Sequence, residues 1–127
     1  MRCLNITFLL DSGPQNWKGP EEFHFRLCRA LVARGATPVL VYSGDVCEHV
    51  LARMRNSGAE IVTASRLLGM RHYNTTLAST FRRFNVNLVH VRYFHCCSIV
   101  PWLVRAHSIR KILFTEAGSG LGSDRPW

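Results

Sequence analysis

Long apolar runs are missing from this chain of 127 residues. None approaches the ~20 residues that a membrane-spanning helix needs. The first apolar stretch is broken at Asn5 and stopped at Asp11, and no small-residue cleavage site follows it. No signal peptide is therefore expected, and the expected location is the cytoplasm. In that setting the sequons Asn5-Ile6-Thr7 and Asn74-Thr75-Thr76 carry no meaning.

Lysine is also scarce. Lys18 and Lys111 are the only two, so the net charge of +8 rests on arginine. No Lys/Arg run exceeds two residues, which argues against a nucleic-acid partner, although a basic surface favours smaller anionic partners and permits peripheral contact with phospholipid headgroups. A solvated arginine-rich helix surface accounts for the same charge.

The five cysteines (Cys3, Cys28, Cys47, Cys96 and Cys97) include no CxxC pair. That odd, scattered set argues against a disulfide framework and makes reduced thiols the expectation. His95-Cys96-Cys97, with His90 nearby, is the densest cluster of metal-ligating types. Adjacent cysteines seldom serve one tetrahedral site and no second ligand pair stands at zinc-like spacing, so no metal is expected. Nor is any cofactor. Gly13 and Gly19 lack the third glycine of a dinucleotide fingerprint, and no Gly-Lys-Ser/Thr ends the loop as a P-loop would. Asp11 stands without the clustered acids of a phospho-acceptor site.

What the chain has is alternation. Apolar strand-like runs at 4–10, 39–42, 60–64, 87–92 and 111–115 are separated by helix-like segments. The first helix is expected from Pro20 or Glu21 to Arg34, with Phe23, Leu27, Ala30 and Leu31 at helical spacing and Gly35 as its stop. The second spans 46–57, with Val46, Val50, Leu51 and Met54 on one face before Gly58. Residues 65–74 read as ambiguous, with Gly69 and Asn74 as breakers; Leu77, Phe81 and Phe84 then imply a third helix. A fourth is expected at 98–106, and 117–127 reads as a Gly/Ser loop. Continuous apolar strands between helices predict a single α/β domain over 1–127. Its doubly wound, Rossmann-like sheet should be mainly parallel, with about five strands and helices on both faces. Ligands of such sheets sit outside the carboxyl ends of the strands.

The loop from Asp11 to Glu22 is the first candidate site, because it feeds a helix N-terminus whose unpaired N–H groups favour anions. Gly13, Lys18 and Gly19 are its candidate ligand-facing residues, and Trp17 is suited to stack on a sugar or ring or to mark an interface. Arg92 and Tyr93 close strand four, and Glu116 closes strand five beside a glycine-rich loop. Each suits a ligand contact or a rim interaction. His90, inside an apolar strand, reads as a hydrogen-bonded core histidine rather than a catalyst.

Lys18-Gly19-Pro20-Glu21, with Leu27, Leu31 and Gly35 at their offsets, resembles the Gly-Gly-x-Glu…Leu…Leu…Gly-His-x-Val signature. That signature opens the N-terminal domain of group 1, family 4-like retaining glycosyltransferases of the GT-B fold. Val86-Asn87-Leu88-Val89-His90-Val91-Arg92 resembles the family's Pro-Asp-Leu-Val-His-Val-His strand, and Lys111–Glu116 the strand that ends in Thr-Glu-His. Three departures stand out. Lys18 replaces the first glycine, Ala36 and Pro38 replace the His and Val, and Ala117 replaces the histidine after Thr-Glu.

The resemblance implies a hexosyltransferase-type activity that moves a sugar from a nucleotide-sugar donor to an acceptor sugar or lipid. Gly13, Lys18 and Gly19 would line its phosphate side, with Arg92, Tyr93 and Glu116 toward the acceptor. It assigns no catalytic residue here, because the family's donor pocket lies in a second Rossmann-like domain. The expectation is a chain inactive alone and completed by a C-terminal domain or complementary chain. The alternative is a non-enzymatic doubly wound module that binds a small anionic ligand or a partner protein.

Overall fold

The computed structural model describes residues 4–10, 13–64, 69–92 and 111–115, with backbone only for 70, 92 and 111–115. Among them are five strands and three helices: β1 (Asn5–Leu10), α1 (Gly19–Ala33), β2 (Thr37–Tyr42), α2 (Glu48–Arg55), β3 (Glu60–Thr63), α3 (Met70–Arg83), β4 (Leu88–Arg92) and β5 (Lys111–Thr115). The strands form one sheet in the order β3-β2-β1-β4-β5. Every neighbouring pair is parallel. β1 therefore sits at the centre, and both flanks are built outward from it.

Alternation within β1 assigns the two faces. Ile6, Phe8 and Leu10 pack with Leu40 and Tyr42 of β2, Cys28 of α1 and Met54 of α2. Leu9, Val39, Val41, Val89 and Val91 pack on the other face against Tyr73, Leu77 and Phe81 of α3. Helices thus cover both faces, α1 and α2 on one and α3 on the other. This is the doubly wound α/β arrangement that near-continuous apolar strands require when neither face is left to water.

The helix ends follow from local chemistry. Gly35, at φ +83°, takes the left-handed position after α1. Gly35 N–H then donates to Val32 O at 3.0 Å and Ala36 N–H to Leu31 O at 2.9 Å, a Schellman closure. Asn85, at φ +49°, does the same after α3, with Val86 N–H on Phe81 O at 3.0 Å. From there Asn5 stitches β1 to β4, its N–H meeting Asn87 Oδ1 at 3.1 Å and its Nδ2 meeting Asn85 O at 3.0 Å.

Two sequence expectations are corrected. Asn74 does not break the third helix, which starts at Met70 and runs through it. The buried stripe begins one turn earlier than Leu77, with Tyr73 fully enclosed; burying that ring outweighs asparagine's weak helix propensity. In α1 the buried positions are His24 and Cys28, while Phe23 is 53% exposed. The inward face is centred one residue later than the apolar count suggests, because His24 can satisfy its own ring. His24 Nδ1 lies 2.8 Å from Pro20 O, which leaves the rest of the ring to pack edge-on against Phe8. The expected helix at 98–106 and the loop at 117–127 lie outside the described residues.

Candidate functional site

Chain connections diverge at the centre of the sheet. β1 leads into α1 on one face, whereas β4 is reached from α3 on the other, so the boundary between these two adjacent strands is the topological switch point. Leu9 pairs with Val91 across it, and Arg92 follows at the carboxyl end of β4, opposite Thr115 of β5. Arg92 and the loop after β1 are therefore placed at the same end of neighbouring strands. Tyr93, Glu116 and the His95-Cys96-Cys97 cluster lie outside the described residues.

The loop after β1 is clamped to the loop after β2. A Cβ added to Gly13 would stand 2.5 Å from the carbonyl carbons of Gly44 and Asp45, so only glycine lets the two backbones meet. Gln15 Nε2 donates to Asp45 O at 2.7 Å and to Gly13 O at 3.2 Å. Cys47 N–H donates to Pro14 O at 3.2 Å. Gly13 thus has a packing duty that its candidacy as a phosphate contact did not foresee.

Trp17 is committed to the protein as well. Its Nε1–H donates to Glu22 Oε2 at 2.9 Å, its ring meets Phe25 edge-on at 5.6 Å, and the Arg53 guanidinium covers it at 4.1 Å. Stacking of this indole on a sugar is therefore not what the structure provides; Arg53 occupies a face of the ring. Glu22 also pairs with Arg26 at 3.2 Å and lies 3.8 Å from Arg53. The Trp17 hydrogen bond, then Arg26, hold its carboxyl below the ordinary value. The sequence offered no sign of this cluster, because Arg53 arrives from α2 only once the fold has formed.

Lys18 and Gly19 are different. Lys18 precedes α1 with φ −126° and ψ −173°, an extended conformation open to any residue, so lysine in place of glycine does not crowd the turn. Its N–H donates to Glu21 Oε2 at 3.3 Å, half of a capping box. Lys18 is exposed, and among the described residues no acid pairs with its ammonium. Among the described residues, and apart from its own neighbours and helix backbone, nothing lies within 4 Å of where a Gly19 Cβ would stand, so none of them crowds the first turn of α1 at this point. Glu21 and Glu22 temper its attraction for anions, whereas the Lys18 ammonium adds to it.

His90 stands beside Phe8 at 5.4 Å between ring centroids, in keeping with a packed strand histidine. Sequence reading passed over two further features of this end of the sheet. Ser43, after β2, is 4% exposed and its hydroxyl has no hydrogen-bond partner among the described residues. Cys47 Sγ lies 2.9 Å from His49 Nδ1 at the start of α2, a Cys-x-His spacing that was legible. Among the described residues no group of three or more His, Cys, Asp and Glu is placed to hold a metal ion. None of the described helices is long and apolar enough to cross a membrane.

No family model matches the chain, and no curated protein matches it in sequence. Solved structures do resemble it in three dimensions. The crystal structure of a glycosyltransferase from Rickettsia africae ESF-5 superposes with a TM-score of 0.66 at 14% identity, over 90% of this chain and 30% of that one. Glycinamide ribonucleotide transformylase 1 from Symbiobacterium toebii gives a TM-score of 0.49 at 18% identity, over 70% of this chain and 41% of that one. The second likeness is too slight to argue from. The first makes the fold glycosyltransferase-like, a Rossmann-like α/β domain, and the chain spans under a third of that protein's length.

Proposed function

We propose that this chain is the N-terminal, acceptor-side domain of a family 4-like retaining glycosyltransferase of the GT-B fold. In this reading a second Rossmann-like domain holds the nucleotide-sugar, and the two domains close on a sugar or lipid acceptor. The single observation that carries the reading is the first turn of α1, with Lys18 and Gly19 exposed and uncrowded by any other described residue, at the switch point of a glycosyltransferase-like sheet. The Gly19 and Glu21 N–H groups and the Lys18 ammonium would meet the donor diphosphate, since Pro20 has no N–H and Glu22 N–H is held by Lys18 O. Gly13 keeps the loop in place, while the family resemblance assigns Arg92, Tyr93 and Glu116 to the acceptor. The short share of the Rickettsia enzyme that the chain spans supports a domain acting with another.

Sugar transfer needs donor and acceptor oriented together with water kept out, and one half of a cleft does neither. The chain alone is therefore expected to be inactive. The test joins it to the second Rossmann-like domain encoded downstream or in a neighbouring gene and follows release of nucleoside diphosphate. Transfer by the pair, lost in Lys18→Ala, supports the reading. Absence of any such second domain, together with ligand binding by the chain alone at micromolar concentration, favours the stand-alone binding module.

A further inference from the structure

Helix α3 lies on the face of the sheet opposite α1, and beside it runs a groove of about 370 Å³ between the helix and the sheet-edge strand β3. Val62 and Phe84 supply its apolar lining. The polar part comes from one helical face, where Thr76, Ser79, Thr80 and Arg83 recur at intervals of three and four. Residues so spaced place their Cβ atoms ~5–6 Å apart, so one small ligand group can touch several of them.

The hydrogen-bonding state of this face is selective. Thr80 Oγ1 already donates to Thr76 O at 2.8 Å, and Thr75 Oγ1 to Arg71 O at 2.8 Å. Thr76 and Ser79 hydroxyls have no hydrogen-bond partner among the described residues. Arg83 sits 5.0 Å from the Phe84 ring centroid and forms no ion pair among them. No aspartate or glutamate occurs anywhere along α3, whose basic residues are Arg71, His72, Arg82 and Arg83. Glu60, two residues before Val62 on β3, is the one acid of that strand, and it pairs with none of them.

We propose that this groove binds the phosphate group of a small ligand, with Arg83, Ser79 and Thr76 as its contacts. A guanidinium and two hydroxyls without a partner among the described residues are donors matched to phosphate oxygens, and the Arg fork allows two parallel bonds. A neutral sugar is the poorer match, since its hydroxyls would find no carboxylate on α3 to accept from them. The site is separate from the switch-point cleft and does not depend on the glycosyltransferase reading.

The experiment titrates the full chain with inorganic pyrophosphate and follows backbone amides by nuclear magnetic resonance. A parallel arm offers phosphatidic acid vesicles against phosphatidylcholine vesicles. Saturable shifts centred on Thr76, Ser79, Arg83 and Phe84 are expected, weakened about tenfold in Arg83→Gln and less in Ser79→Ala, with both variants melting like the parent. Uptake on the phosphatidic acid vesicles alone would assign the same phosphate chemistry to a lipid headgroup. Three outcomes overturn the proposal. They are shifts confined to residues 17–22, shifts spread evenly over the arginines of α1 and α2, and neither ligand engaging α3.

Discussion

Two glycines, one in the loop after β1 and one at the start of α1, should respond very differently to the same substitution. In Gly13→Ala the new methyl group meets the backbone of Gly44 and Asp45, with their carbonyl carbons 2.5 Å away. Backbone cannot swing aside like a side-chain tip, so the two loops must separate. Overpacking of this kind costs roughly 1–3 kcal/mol. Separation also strains the Gln15–Asp45 and Cys47–Pro14 hydrogen bonds, each worth about 1 kcal/mol. The expected total is about 2–4 kcal/mol. With a urea slope of about 2 kcal/mol/M, the unfolding midpoint should fall by about 1–2 M. Gly19→Ala meets no other described residue within 4 Å beyond its neighbours and helix backbone and should move stability by no more than about 0.5 kcal/mol. Equal loss in both variants, or an unchanged midpoint for Gly13→Ala, would refute the clamp between the loops.

Further predictions concern the core and its titrating groups. Leu77→Ala, at a fully buried position where α3 meets the sheet, should cost about 2–5 kcal/mol by chemical denaturation. Burial pushes the Cys28 thiol up to about 12 from 9.0 and moves Tyr42 upward as well. A raised value gives stability that is complete below the unfolded value and lost as pH rises through the folded one. Urea midpoints should therefore decline between about pH 9 and about 12, less steeply in Cys28→Ala, and native Cys28 should resist alkylation at neutral pH. Glu22, held low chiefly by Trp17, works in the opposite direction. Its contribution is present above the unfolded value and fades as pH falls through the folded one. Trp17→Phe should raise the Glu22 titration midpoint in a carboxylate-detected pH series; no change would sink the assigned cause.

The strands were legible because parallel strands buried on both faces read as continuous apolar runs, as in Val39-Leu40-Val41-Tyr42. Their alternation with helices was enough for the doubly wound sheet. Helix ends were legible where a left-handed residue marks them, at Gly35 but not at Asn85. The start of α3 was obscured because polar residues at 71, 72 and 74–76 surround Tyr73, the one buried ring of that stretch. In α1, apolar counting favoured Phe23 over His24, and the reversal rests on contacts the fold makes, among them His24 with Pro20 O and with the Phe8 ring.

At the site, position along the strands placed Arg92 and the opening loop at one end of the sheet. Pairwise chemistry between distant segments was not legible. Arg53 on Trp17, Asp45 against Gly13 and the groove between β3 and α3 all arise from elements far apart in sequence.

The central claim is that the first turn of α1 is the diphosphate-facing half of a sugar-transferase cleft. Its most direct test is an amide-resolved titration of the chain with uridine diphosphate. Half a site should bind weakly, with Kd near a millimolar, about 4 kcal/mol of binding free energy. The account predicts saturable shifts at Lys18, Gly19 and Glu21 that Lys18→Ala abolishes. Saturable binding that leaves these amides unmoved, or shifts there that survive Lys18→Ala unchanged, would contradict it.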